Sequence, residues 1–203
     1  MAQKLLVATK NRGKLKEYQE ILDGLGDIEW LSLWDVGLGH MDVEETGATF
    51  EENAGLKAEA YANAAGMLTL ADDSGLVVDA LNGAPGVYSA RYGAPGAASD
   101  VDRYQLLLKN LTGIEPPQRT AHFACAVALA LPGKSPEFAM GRVDGHIGFE
   151  PHGSNGFGYD PVFVLPDGRT IAEMPSEEKN RISHRGRALE AALPILKRYL
   201  TGQ

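Results

Sequence analysis

The first part of the chain passes from a short apolar run to an amphipathic stretch. Residues 5–8 have the length and composition of a buried strand, and residues 9–14 form a polar loop directly after it. Apolar residues then recur at helical spacing and end near Gly24. They are Leu15, Tyr18, Ile21 and Leu22. This pattern predicts a strand, a loop and a helix in succession.

The next helix has a clear start signal. Thr49 is followed three residues later by Glu52, which is the spacing of a capping box, and apolar residues continue at helical spacing to Gly66. Residues 68–71 then predict a strand that stops at the polar residues 72–75, and an apolar run resumes after this break. We therefore expect a helix followed by an interrupted strand.

Long β patterns appear only in the second half of the chain. A connection rich in glycine and proline covers residues 82–99, and Asp100 after it is placed to cap a helix. Residues 120–131 predict a long strand, and residues 137–143 predict its hairpin partner.

The C-terminal part predicts a loop, a strand and a long helix. Residues 151–158 form a glycine-rich loop, and residues 159–164 predict a further strand. The last helix is predicted to begin near Ser183, and Pro194 should kink it or split its final turns. Since there is no internal repeat and no linker-like run, the whole chain, residues 1–203, predicts one α/β domain with helices against a mixed sheet.

The composition is that of a globular protein and restricts the possible ligands. Hydrophobic residues make up 44% of the chain and charged residues 23%, with no low-complexity tract. The formal net charge of −8 argues against binding nucleic acid through its backbone, so any anionic ligand must meet a local positive cluster. No apolar stretch approaches the roughly 20 residues of a membrane-spanning helix. We expect neither nucleic acid nor a membrane as a partner.

The single cysteine and the N-terminal segment indicate the cellular compartment in which the protein is expected. Cys125 lies within an apolar run and no intrachain disulfide is possible, so we expect a buried and inert thiol. The apolar run near the N-terminus is too short for the core of a signal peptide. These features favour a soluble protein of the reducing cytoplasm.

The loop after the first strand is a candidate anion site. It carries a hydroxyl, an amide and three cationic side chains where a strand leads into a helix, and helix N-termini favour anions. The spacing and paired glycines of a Walker motif are absent. A basic surface loop is the alternative. The candidate residues are Thr9, Lys10, Asn11, Arg12, Gly13 and Lys14.

Two acidic pairs are candidate metal ligands. Asp72 and Asp73 follow an apolar run, and α/β sheets usually place ligands at the ends of strands. Adjacent buried carboxylates need a positive partner, and Mg²⁺ takes oxygen ligands, usually one or two carboxylates with water and substrate phosphates. Glu44 and Glu45 form the other pair. A solvated acidic turn is the alternative.

A glycine-rich loop and a basic segment are candidates for base recognition. Glycines in residues 153–161 surround Phe157 and Tyr159, and such a loop can stack a base, the alternative being a β-turn and a buried tyrosine. A basic run follows, and such a run is usually a solvated helix face. Here the predicted helix start would aim His184 and Arg185 outward. The run contains Lys179, Arg181, His184, Arg185 and Arg187. Together these candidates describe a nucleotide enzyme.

Eight short motifs, in their order along the chain, resemble the inosine triphosphate pyrophosphatase family. They are residues 9–14, 44–47, 49–54, 71–76, 83–86, 89–92 and 156–161, and Glu178 and Lys179 with residues 183–186. The match runs from Leu5 to about Leu200, and eight ordered motifs are far more specific than any one loop. Asn155 stands where many relatives have glycine, and Lys10 replaces a small residue. Neither departure removes a catalytic group.

The resemblance implies an elongated mixed α/β fold with a cleft between two lobes, and a homodimer. It implies Mg²⁺-dependent hydrolysis of XTP, ITP and dITP to the monophosphate and pyrophosphate. Residues 9–14 would hold the triphosphate, Glu44 and Asp73 would bind Mg²⁺, and Asp73 would be the general base. Lys57 and Asp72 fit supporting roles. The other implied substrate-binding residues are Ser74, Phe157, which would stack on the purine, Gly158, Tyr159, Asp160, Lys179, His184 and Arg185.

Three other functions are weighed against this one. A Maf-like pyrophosphatase would act on modified pyrimidine nucleotides, but Phe157 and the segment at residues 183–185 argue against it. A sensor that binds nucleotides without hydrolysis has little need for Glu44 and Asp73 beside a phosphate loop. A purely structural or interaction protein leaves the eight ordered motifs without explanation.

Overall fold

The computed structural model of the chain describes residues 3–23 and 28–201 and contains six strands and five helices within them. In chain order these are β1 (Gln3–Val7), α1 (Arg12–Leu22), β2 (Ile28–Ser32), α2 (Phe50–Ala65), β3 (Thr69–Val78), α3 (Asp100–Asn110), β4 (Thr120–Ala130), β5 (Glu137–Ile147), β6 (Phe163–Val164), α4 (Ser176–Ile182) and α5 (His184–Thr201). Short 3-10 helices lie in the connections. None of the helices described is long and apolar enough to span a membrane.

The six strands form one mixed sheet in the order β2, β1, β3, β4, β5, β6. β1 pairs in parallel with β2 and β3, whereas β5 and β6 are antiparallel. The mixed α/β fold predicted from the sequence is therefore confirmed. The chain divides into two compact units, and it passes from one to the other within β3, β4 and β5 and at the start of α5.

Unit 1 consists of the described parts of Met1–Asp73, Cys125–Gly141 and Arg185–Gln203. Successive side chains of its strands enter two different apolar clusters, as the twofold period of a β-strand requires. One cluster contains Leu5, Val7, Leu70, Cys125 and Val127 with α1 and α5 residues such as Tyr18 and Leu189. The other contains Leu6, Ala8, Ala71, Ala126 and Ala128 with Ala54, Ala58 and Ala62 of α2. Each face of the sheet in this unit therefore has its own core.

The ends of α2 follow from local side-chain chemistry. Thr49 is the N-cap, and its hydroxyl oxygen accepts the N–H of Glu52 at 3.1 Å. The carboxylate of Glu52 accepts the N–H of Ala48 at 2.6 Å. In a capping box the usual partner is the N–H of the N-cap residue, which here is Thr49, one position later. Gly66 ends the helix in the left-handed region, with φ of +68°.

Unit 2 consists of Ser74–Ala124 and Arg142–His184 and has an apolar core of its own. That core contains Leu76, Val78, Leu107, Phe123, Tyr159 and Phe163. Ser99, not the predicted Asp100, is the N-cap of α3, and it forms a capping box with Asp102. Asp100 is the first residue of the helix.

Several predicted element boundaries are wrong. β3 runs without a break from Thr69 to Val78, so the polar residues 72–75 lie inside the strand. The strand predicted at residues 159–164 is reduced to Phe163–Val164. β2 and α4 were not predicted, and Pro194 lies inside α5 without splitting off its final turns. α1 ends at Leu22, and Gly24 lies outside the described residues.

Candidate active site

Several N–H groups of the polar loop before α1 donate hydrogen bonds to side chains of the same loop. Asn11 is the N-cap of α1, and its side-chain oxygen accepts the N–H groups of Gly13 at 2.8 Å and Lys14 at 3.1 Å. The N–H of Asn11 donates to the hydroxyl of Thr9 at 3.2 Å. These three N–H groups are therefore occupied within the loop in this arrangement.

The three cations of this loop have different surroundings. Lys10 is exposed and pairs with the exposed Asp42 at 2.6 Å, and Arg12 is exposed. Lys14 is largely buried, and its ammonium lies 2.9 Å from the carboxylate of Asp72. Because Lys14 is fixed by a buried carboxylate while the other two are in solvent, Lys14 is the best-oriented cation of the three.

Asp72 is the centre of a buried charge network on one face of unit 1. Arg185 has 1% of its side chain exposed, and it lies against both Asp72 and Glu17. Burial raises the pKa of Asp72, but Lys14 and Arg185 outweigh it and hold that pKa well below its usual range. Asp72 is therefore ionised at neutral pH. Its Oδ1 atom is buried and has no hydrogen-bond partner among the described residues.

Cys125 lies beside this network. Its sulfur is 3.7 Å from Oδ2 of Asp72, and its side chain is fully buried. Burial raises the pKa of the thiol, and the charge of Asp72 raises it further. The sequence-based expectation of a buried thiol is confirmed.

The native protein is expected to resist alkylation at Cys125. Since the thiolate is the reactive form and this thiol is both buried and of raised pKa, iodoacetamide at pH 8 should label the folded chain far more slowly than the chain in urea. Mass spectrometry of the intact protein measures the label on its one cysteine. Equal labelling rates with and without urea would contradict the buried position.

Asp73 lies on the opposite face of the strand from Asp72, because neighbouring side chains of a strand alternate. Its Oδ2 accepts a 3.0 Å hydrogen bond from the amide of Asn53, and its Oδ1 is 4.0 Å from the ammonium of Lys57. Burial raises the pKa of Asp73 despite the opposing effect of Lys57. This carboxylate is therefore a stronger base than an exposed aspartate.

Asn53 and Lys57 connect Asp73 to the acidic loop at residues 44–47. The side-chain oxygen of Asn53 accepts the N–H of Gly47 at 2.8 Å, and Lys57 pairs with Glu45. Burial opposes the charge of Lys57, but Asp73, Asp72 and Glu45 outweigh it and raise its pKa. Glu44 is exposed in the same loop.

The carboxylates on this face fit a hard divalent ion. Burial raises the pKa of Asp73, and a divalent ion would oppose that effect by favouring the charged carboxylate. Within residues 3–23 and 28–201, no three His, Cys, Asp or Glu side chains are grouped to hold a metal ion. One or two carboxylates that share Mg²⁺ with substrate phosphates match this donor set, since Mg²⁺ rarely takes an all-protein cage.

In unit 2 a lysine and an aromatic ring lie together. The ammonium of the buried Lys179 is 2.6 Å from Oδ2 of the buried Asp160 and 4.8 Å from the ring centroid of Phe157. The same carboxylate oxygen accepts the N–H of Phe157 at 2.9 Å. The Asp160 carboxylate therefore binds both the Lys179 ammonium and the backbone N–H of Phe157, whose ring lies beside that ammonium.

The other predicted residues of the base pocket have separate surroundings. His184 is buried and stacks on Phe123, with ring centroids 4.7 Å apart. The prediction that His184 and Arg185 project outward is wrong, because both are buried. Tyr159 is buried and donates to the carbonyl of Ser89 at 2.9 Å. Ser74 is half-buried inside β3.

Two buried polar residues of unit 1 were not predicted individually from the sequence. Asn53 and Glu17 are buried, on α2 and α1. A signal was present, because Asn53 has helical spacing with Phe50 and Glu17 has it with Ile21, and both partners belong to the predicted apolar faces of their helices. A polar residue on the predicted core face of a helix needs a buried partner, and that requirement could have identified both.

The fold and these groups define a mixed α/β protein with carboxylate–cation pairs in one unit and a lysine–aromatic pair in the other. Residues 5–195 match the profile of the Ham1 family, and the chain belongs to that family. The resemblance found in its motifs is thereby confirmed.

Curated relatives and solved structures are similar over nearly the whole chain. The dITP/XTP pyrophosphatase of Listeria monocytogenes is 51% identical over 189 residues, which are 92% of this chain and 91% of the relative. That of Bacillus subtilis is 48% identical over 194 residues, covering 95% and 96%. The structure of a HAM1 protein from Coxiella burnetii is 43% identical, with a TM-score of 0.85 and coverage of 96% and 98%.

Proposed function

We propose that this chain hydrolyses the nonstandard purine nucleoside triphosphates XTP, ITP and dITP to the monophosphate and pyrophosphate, and so removes them from the nucleotide pool. The relatives named dITP/XTP pyrophosphatase support the reaction and the substrate class. The observation that carries the proposal is Asp73, a buried carboxylate of raised pKa that Asn53 orients and Lys57 approaches. The whole chain, residues 1–203, is proposed to act as one pyrophosphatase domain.

Water must attack a phosphorus atom that is already surrounded by negative charge, so catalysis depends on position and charge neutralisation. Lys14 and Lys57 supply largely buried positive charge, and Lys10 and Arg12 supply exposed positive charge. Asp73 orients the attacking water and takes its proton. Mg²⁺, held by Glu44 and Asp73, would neutralise charge on the phosphates.

Phe157 and Lys179 are proposed to recognise the base. The ring stacks on the purine, and the ammonium donates to a 6-oxo group. Adenine presents an amino group at that position and would place donor against donor, which a buried site rejects strongly. Arg185 is proposed to act through Asp72 and Glu17, which already hold its guanidinium. His184 is proposed to support the pocket through its stack on Phe123.

Pyrophosphate release from ITP, XTP, ATP and GTP by the purified chain, with Mg²⁺ and with EDTA, tests the proposal. We expect release from ITP and XTP with Mg²⁺ and loss of activity in EDTA. We expect little release from ATP, which lacks the 6-oxo group, or from GTP, which must be rejected through its 2-amino group. Binding of ITP without release would instead favour the sensor. Release from modified pyrimidine triphosphates alone would favour the Maf-like function.

A homodimer in the cytoplasm is proposed as the active form. The dimer is an expectation from the family resemblance, and the one buried thiol suits a reducing compartment. Sedimentation of the purified chain as a monomer at assay concentration would contradict the dimer, and export of a tagged chain from its native cell would contradict the location.

A further inference from the structure

The loop that carries Phe157 is held by a residue far away in sequence. The N–H of Gly158 donates a 2.8 Å hydrogen bond to Oδ2 of Asp100, which is 58 residues earlier in the chain and opens α3. The N–H of Phe157 donates to Asp160. Two consecutive N–H groups of the loop are therefore bound by two different carboxylates, and hydrogen bonds to ionised acceptors are the stronger kind.

Asp100 is available for this contact because other residues cap its helix. The hydroxyl of Ser99 accepts the N–H of Asp102, and the Asp102 carboxylate accepts the N–H of Ser99 at 2.9 Å. The second oxygen of Asp100 pairs with Arg103, whose side chain is largely buried. This ion pair fixes the carboxylate that receives Gly158.

The contact acts on a backbone position that few residues can adopt. Gly158 has φ of +65°, in the left-handed region, and it follows the aromatic residue directly. The peptide between Phe157 and Gly158 carries the N–H that Asp100 holds, so this bond fixes the peptide plane next to the ring. Tyr159, the next residue, is anchored through its hydroxyl to Ser89. The ring of Phe157 is thus held against Lys179 by the backbone around it as well as by Asp160.

We propose that Asp100 is a positioning residue for base recognition, which acts through the Gly158 N–H on the ring of Phe157. The inference rests on the proposed function, in which that ring stacks on the purine. Asp100 does not itself contact the nucleotide. Its loss lets the loop adopt other conformations, and the ring must then be ordered again when substrate binds.

Steady-state kinetics of Asp100→Ala and Asp102→Ala in the full chain form the test. Asp100→Ala is expected to raise KM for ITP about ten-fold, the effect of one lost charge-assisted hydrogen bond, with little change in kcat. Asp102→Ala removes a helix cap on the same turn, so it should lower Tm and leave KM unchanged. Asp100→Asn keeps an acceptor oxygen and should recover most of the KM. Equal KM changes in both alanine variants, or none in either, would overturn the proposal.

Amide hydrogen exchange separates this inference from the proposed function. Exchange at Gly158 in the nucleotide-free chain should be faster in Asp100→Ala than in wild type and unchanged in Asp102→Ala. If wild type hydrolyses none of the nucleotides, the proposed function fails whatever the exchange result. If wild type is active but Gly158 exchanges equally fast in all three proteins, the positioning role is overturned.

Discussion

Replacement of Asp73 by Asn is expected to lower kcat for ITP by about 10²–10⁴-fold, the range of a lost general base. The amide has the same shape and can still accept the hydrogen bond from Asn53, so the fold should remain intact. It cannot take a proton from water, and it is a poorer ligand for Mg²⁺. Single-turnover kinetics with saturating ITP and a thermal melt of the same sample measure the two effects separately.

Asp35→Asn is the matched control for this variant. Asp35 is an exposed residue of the same unit, and its carboxylate accepts hydrogen bonds from Ser32. It lies outside the proposed site, and kcat should stay within about two-fold of wild type, because surface substitutions of this kind have small effects. Wild-type turnover in Asp73→Asn would remove Asp73 from the mechanism.

Elements whose signals lie within or next to them, such as α2, were predictable from the sequence. β3 was not fully predictable, because its polar residues depend on partners elsewhere in the chain. α2 was predicted from the spacing of Thr49 and Glu52 and from Gly66, all within or next to the helix. The acidic residues at positions 72 and 73 predicted a break in the strand, because buried carboxylates are unfavourable without partners. The structure buries both, since Lys14 and Arg185 approach Asp72 and Asn53 approaches Asp73.

These partners lie far apart along the chain, which is why the pattern of polar residues did not reveal them. Arg185 is 113 residues from Asp72 and 168 from Glu17. The candidate site was likewise found from short motifs, which give residue types but not contacts. The family resemblance implied that Arg185 lines the base pocket, and the predicted helix start aimed it outward, whereas its guanidinium is inside unit 1 between two carboxylates.

Arg185→Met is expected to destabilise the protein by about 3–5 kcal/mol, the range for removing one partner of a buried ion pair. Methionine fills much of the volume but leaves Glu17 and Asp72 buried without their shared cation. A loss of this size is a large part of the stability of an ordinary domain. Urea denaturation at pH 7, followed by circular dichroism, measures the free energy of unfolding.

Arg198→Met is the matched control, on the same helix. Arg198 pairs with Glu137, but half of its side chain is exposed, so its loss should change the free energy of unfolding by less than about 1 kcal/mol. If both variants lost the same free energy of unfolding, the buried position of Arg185 would have no special effect on stability.

A second substitution distinguishes the cost of leaving a buried carboxylate without its cation from the loss of packing by the Arg185 side chain. If Arg185→Met is costly because Glu17 is left ionised and buried, then Glu17→Gln in the same chain should return part of the lost stability. If Arg185 instead contributes mainly by packing, the two substitutions should destabilise additively. Partial recovery in the double variant would therefore assign the network of Arg185, Glu17 and Asp72 to charge compensation.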